Sequence, residues 1–139
     1  MIAAAAMVAE LLRAGLPLGV RQRATKGEHR GRWLQRGQTR DGRLLAVLVS
    51  DEAGRLRRCA LMGLLTPEPV HMERNALVMQ IAAGVCWPEG GAAWVTAALV
   101  ALRMDVRLSP WRAVPGGAVG MATSEAPRAV HLVIVGGEE

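Results

Sequence analysis

An apolar run from Leu44 to Val49 restricts the fold more than any other stretch of this chain. Asp41-Gly42 precedes it and Asp51-Glu52-Ala53-Gly54 follows it. Asp-Gly suits a tight turn, because glycine takes positive φ without steric cost and aspartate tolerates it. In a strand, Leu45, Val47 and Val49 point to one side and Leu44, Ala46 and Leu48 to the other. Both sides are apolar. The expectation is a central strand covered on both faces, with Leu45, Val47 and Val49 in the core.

The other segments arrange themselves around that strand. Residues 3–14 are rich in Ala and Leu and stop at Gly15 and Pro17, which predicts a short helix. Residues 19–32 offer hardly an apolar side chain and read as a loop or mobile arm. Arg32 to Arg36 forms a short strand, turned by residues 38–42 into the central one. Residues 55–65 fit two patterns: Leu56, Ala60 and Leu64 have helical spacing, but the preceding turn and strand favour the third strand of a meander. Thr66-Pro67-Glu68 opens a helix running to about Ala83, with Leu77, Val78, Ile81 and Val85 on its apolar face. A second helix over about 92–104 is apolar nearly all round. Strands are expected at 106–108, 118–123 and 129–135, with turns at Pro115-Gly116-Gly117 and Ser124 to Pro127. The order describes a single small α+β domain over 1–139. Its sheet is largely antiparallel, of about five to six strands, with the helix pair on one face and a short N-terminal helix. A basic loop or arm occupies about 19–43.

The chain has no Phe, no Tyr and four Trp, so the core must be built from Leu, Val, Ala, Met and Ile. Two cysteines are too few for a disulfide framework, which points to a reduced, cytoplasmic setting. The apolar start carries no basic residues ahead of it and is interrupted by Glu10, unlike a signal peptide. Residues 91–102 fall short of the roughly 20 apolar residues that cross a bilayer, so no membrane partner is expected.

Four kinds of chemistry can be tested against the motifs. His71-Met72-Glu73 matches the H-x-E element of zinc deaminases, but the paired thiolates of P-C-x-x-C are missing, so no metal is assigned. Pro115 to Met121 is glycine-rich but lacks the lysine of a phosphate-binding loop, and no cofactor is implied. No serine sits in a G-x-S-x-G elbow. Cys59, beside Arg57 and Arg58, is either a thiol of lowered pKa or a small core residue. No catalytic residue is assigned, and the balance leans away from an enzyme.

Nucleic-acid binding has positive support. Residues 20–58 carry eleven basic and four acidic side chains, a balance of +7, while the remainder balances at −2. Arg21, Arg23, Lys26, Arg30, Arg32, Arg36, Arg40 and Arg43 fall within 23 residues, broken only by Glu28 and Asp41. Such a segment neutralises phosphates, and Trp33 among them offers a ring for an unpaired base. Gly27, Gly31 and Gly37 allow close backbone approach. The leading expectation is a small non-enzymatic binding protein, a nucleic-acid-binding regulator or accessory factor. The alternative is a protein-interaction or inhibitor module, or homodimeric adaptor, whose basic segment faces an acidic partner. The apolar second helix, Trp87 and seven Met residues would supply a hydrophobic interface for such a role.

Overall fold

The Asp41-Gly42 pair turns the chain as its residues allow. Gly42 takes φ 71° and brings Leu44–Ser50 (β3) antiparallel to Trp33–Gln38 (β2). The computed structural model describes residues 2–103 and 111–137. A second tight turn, with Gly54 at φ 78°, leads into Leu56–Leu64 (β4), antiparallel to β3. Before this meander lie helix α1 (Ala4–Arg13) and a two-residue strand, Gln22–Arg23 (β1). After it come helices α2 (Pro69–Cys86) and α3 (Gly91–Arg103). The strands Arg112–Val114 (β5), Gly117–Glu125 (β6) and Arg128–Gly136 (β7) complete one antiparallel sheet of seven strands, in the order β1-β2-β3-β4-β7-β6-β5. The protein is α+β. Its strand count exceeds the expected five to six because β1 and β5 are too short to show a period of their own. The strand expected at 106–108 lies outside the described residues.

Side chains alternate across a strand, so the register sorts them by face. On one face, Leu48 pairs with Cys59 and Cys59 with Ile134; Ala46 pairs with Leu61 and Leu61 with Leu132. All six are buried. This face receives α2: a side chain at Gly63 would meet the Met79 methyl at 3.2 Å and Asn75 at 3.3 Å. A bulge between Val49 and Ser50 keeps Leu56 buried on the same side of β4.

The opposite face differs from the expectation of a doubly covered strand. It carries the row Arg36, Val47, Ala60, Val133, Gly120 and the row Leu34, Val49, Arg58, Val135, Ala118. At its β6 end a Cβ at Gly120 would meet the Trp111 ring at 3.1 Å. Val47 is 36% exposed and Leu45 half-buried; of the three expected core residues on this side, only Val49 is buried. The core residues of β3 are Leu44, Ala46, Leu48 and Val49.

Helix α2 also departs from its expected frame. Pro69, not Pro67, occupies the first turn, and the helix passes Gly84 to end at Cys86. The Glu68 N–H donates to the Thr66 hydroxyl at 3.2 Å. Its buried side is Asn75, Val78, Met79, Ala82, Ala83 and Cys86, while Leu77 is 54% exposed. Asn75 turns inward because its Nδ2 donates to the Arg43 carbonyl at 3.2 Å, and Gly63 leaves room for it. Trp87 is packed rather than exposed, against Gly90 and under the Arg112 guanidinium at 4.9 Å. No helix of the described residues is long and apolar enough to cross a membrane.

Two neighbours on β3 separate the faces experimentally. Leu48→Ala removes three carbons from a site 1% exposed and should cost about 2–5 kcal/mol in urea unfolding. Val47→Ala, one residue earlier on the open face, should cost less than about 1 kcal/mol. Equal losses would show that both faces are packed.

Candidate nucleic-acid interface

The nine residues singled out by charge and ring chemistry fall in three places. Arg21, Arg23, Lys26, Arg30 and Arg32 belong to a hairpin at the edge of the sheet, with Trp33 at its base. Arg36 stands on the open face. Arg40 and Arg43 flank the turn at the far end of β2, roughly 20 Å from Trp33 at about 3.3 Å per residue. The nine residues therefore do not share one face or one end of β2.

Within 19–32, expected as a loop or mobile arm, Gln22–Arg23 forms a two-residue strand and the remainder is loop and turn. Gln22 pairs with Leu34 and Arg23 with Trp33. The Ala24 N–H donates to the Arg32 carbonyl and the Gly31 N–H to the Ala24 carbonyl, both at 2.9 Å. Gly27 and Gly31 stand at φ 82° and 85°, where they close the loop. Gly37 serves a contact within the chain: a Cβ there would lie 2.1 Å from the Pro17 carbonyl oxygen, where the segment after α1 runs antiparallel beside β2.

Trp33 is occupied. The Arg21 and Arg23 guanidinium groups lie 4.6 and 5.3 Å from its ring centre. Arg23 also pairs with Glu52. Two guanidinium groups thus already lie against the ring that a base would use. Lys26, Arg30 and Arg32 form no ion pair among the described residues, and Lys26 and Arg30 are exposed.

A carboxylate binds arginine at each end of β3. At one end Asp51 accepts from the Arg55 side chain at 2.8 Å and from its N–H at 2.9 Å, with the Arg57 guanidinium 3.3 Å away. Burial opposes ionisation of Asp51, but these bonds outweigh it and hold its pKa below the usual value. At the other end Asp41 binds Arg74, the Thr39 hydroxyl at 2.7 Å and His71 Nδ1 at 2.7 Å. The Arg74 hydrogen bond is the main reason its carboxyl lies far below the usual range. His71 is thereby placed in an ion-pair cluster tying the β2–β3 turn to α2. Arg74, Arg55 and Arg57 organise these ends, and sequence reading missed them because their acidic partners are supplied by turns.

The thiols are core groups. Cys59 is fully buried, and burial pushes its pKa up to about 12; Cys86 is likewise raised, to about 11. The neighbouring Arg57 and Arg58 do not lower the Cys59 value, because Arg58 points to the opposite face. His131 Nε2 lies 2.9 Å from the Ser124 hydroxyl, which donates to the Pro127 carbonyl at 2.6 Å, and burial lowers its pKa. Between the sheet and the helices, a cleft of about 370 Å³ is lined by Met72, Met79, Leu99, Leu102 and Val130. Among the described residues no group of three His, Cys, Asp or Glu could hold a metal ion. No known protein family, curated protein or solved structure matches the chain.

Two outcomes follow from this geometry. The folded pKa of Asp41 lies below its unfolded value of about 3.9. Its contribution to stability is therefore complete above that value and lost as pH falls through the folded pKa. Thermal melts should show Asp41→Asn less stable than the native chain at neutral pH, with the difference shrinking below about pH 4. A thiol reagent at about pH 8 should find neither cysteine reactive in the folded chain and both reactive in denaturant. Prompt labelling of folded Cys59 would contradict its burial.

Proposed function

We propose that this is a small non-enzymatic binding protein, a regulator or accessory factor that contacts nucleic acid through the β1–β2 hairpin. The observation that carries this reading is the hairpin's free charge. Lys26, Arg30 and Arg32 belong to one hairpin at a sheet edge and have no carboxylate paired to them among the described residues, whereas Arg55, Arg57 and Arg74 are held by Asp51 and Asp41 at the ends of β3. A two-stranded ribbon with cations along it is one of the elements that fits a nucleic-acid groove. With Trp33 covered by arginines, binding rests on phosphate contact and is indifferent to sequence. Two free buried thiols suit a reduced cytoplasmic setting.

The salt dependence of binding tests this. If Arg21, Lys26, Arg30 and Arg32 meet about three or four phosphates, log K on duplex DNA should fall with log salt at a slope of roughly −3 to −4. Changing Lys26, Arg30 and Arg32 together to Gln should flatten that slope by up to about three units. Arg40→Gln, at the far turn, should leave it unchanged. Absence of binding to duplex or single-stranded DNA or RNA at about 50 mM salt would end the nucleic-acid reading.

A further inference from the structure

The hairpin leaves the open face of the sheet unexplained. Its central strands present an aliphatic surface that includes Leu34, Leu45, Val47, Ala60, Met62 and Val133. Into this surface the alternation of β2 and β4 sets two arginines, Arg36 and Arg58. Both are exposed, and neither has an ion pair among the described residues. Arg58 is flanked by Val49 on one strand and Val135 on the other. None of the paired residues of this face is acidic.

We propose that this face docks an amphipathic helix of an acidic partner protein, its aliphatic stripe on the strands and its carboxylates on Arg36 and Arg58. The proposal is independent of the hairpin's role. Charge excludes the simplest occupant, a second copy: two such faces in contact would bury four guanidinium groups with no carboxylate between them, and unpaired buried charge is strongly unfavourable. Nucleic acid fits poorly as well, because a phosphate backbone leaves the valines and leucines between the cations without a partner. Spacing agrees with a helix. Arg36 and Arg58 are two strands and two residues apart, about 12 Å at ordinary sheet dimensions. Two glutamates seven residues apart on a helix are separated by about 10.5 Å along its axis, and their side chains span the difference.

The test uses a labelled helical peptide of about 18 residues, with leucines at i, i+3, i+4 and i+7 and glutamates seven apart beside that stripe. Fluorescence anisotropy should show saturable binding, weakened at least tenfold when Gln replaces each peptide Glu. Arg58→Glu and, separately, Val47→Asp should each weaken it at least tenfold, while changing Lys26 and Arg30 to Gln should not. In NMR spectra the amides of Val47, Ala60 and Met62 should shift on titration, and those of Leu48 and Leu61 should move less. Circular dichroism checks that the variants fold, and Arg36→Glu serves if Arg58→Glu does not. Equal affinity for the Glu and Gln peptides, or an unaltered affinity in folded Arg58→Glu or Arg36→Glu, overturns the proposal. So does a dimer in sedimentation that Val47→Asp dissolves, which would give the face to a second copy. DNA binding lost in Arg58→Glu but kept in the hairpin variant would give it to nucleic acid and equally overturn the proposal.

Discussion

The pairing of β3, β4 and β7 is the constraint on which the rest of the structure depends. These strands are antiparallel and in register along most of their length, so each cross-strand row commits its residues to one side. Leu48, Cys59 and Ile134 form one row, Ala46, Leu61 and Leu132 the next, and every one of them is buried. A slip of one residue in β4 would exchange Cys59 and Leu61 for Arg58 and Ala60 beneath α2. Burying Arg58 there without a carboxylate would be prohibitive, which makes the register strongly specified. The absence of Phe and Tyr tightens the demand, since Leu, Val, Met and Ile must fill the layer unaided.

The same alternation explains how much of the fold was legible in the sequence. Strands β3, β6 and β7 announce themselves by apolar content and flanking turn residues, whereas β4 also fits a helical spacing and is told apart only by the turn and strand before it. Strands β1 and β5 span two and three residues and exist only because a neighbour offers its edge. Which face of β3 would be covered was not legible, because Leu44-Ala46-Leu48 and Leu45-Val47-Val49 are equally apolar. The answer lies in Gly63 on the next strand, whose missing side chain admits Met79 and Asn75 of α2. Asn75 likewise defeats a periodicity argument. Its polar side chain looks outward-facing until the Arg43 carbonyl is seen to accept from it.

The arginines show the same limit in the candidate site. Their density between residues 21 and 43 is plain in the sequence, but a strand separates neighbours that a list keeps together. Trp33 and Arg36 share β2 and stand on opposite faces; Arg40 and Arg43 lie a strand's length from the hairpin. Carboxylates finish the sorting. Asp51 and Asp41 are both turn residues; Asp51 binds Arg55 and Arg57 just beyond its turn, and Asp41 binds Arg74 of α2. Of the eight basic side chains between 21 and 43, only Arg23 has a carboxylate partner among the described residues; the paired arginines are those at 55, 57 and 74.

Gly37 carries a mechanical consequence. The segment from Pro17 to Gly19 runs antiparallel beside β2, bridged from Leu18 to Gly37, so closely that the Pro17 carbonyl oxygen fills the place of a Cβ at Gly37, and the Gly19 N–H is bonded to the Arg36 carbonyl at 2.8 Å. Leu16, just before that segment, is fully buried, and its N–H is bonded to the Leu11 carbonyl of α1 at 2.8 Å. The base of the hairpin is thus strapped to the helical layer by about four residues of chain. A tilt of α1 would travel along this strap as along a short lever and re-aim the cations beyond it. A single methyl group added at Gly37 would prise the lever from its fulcrum.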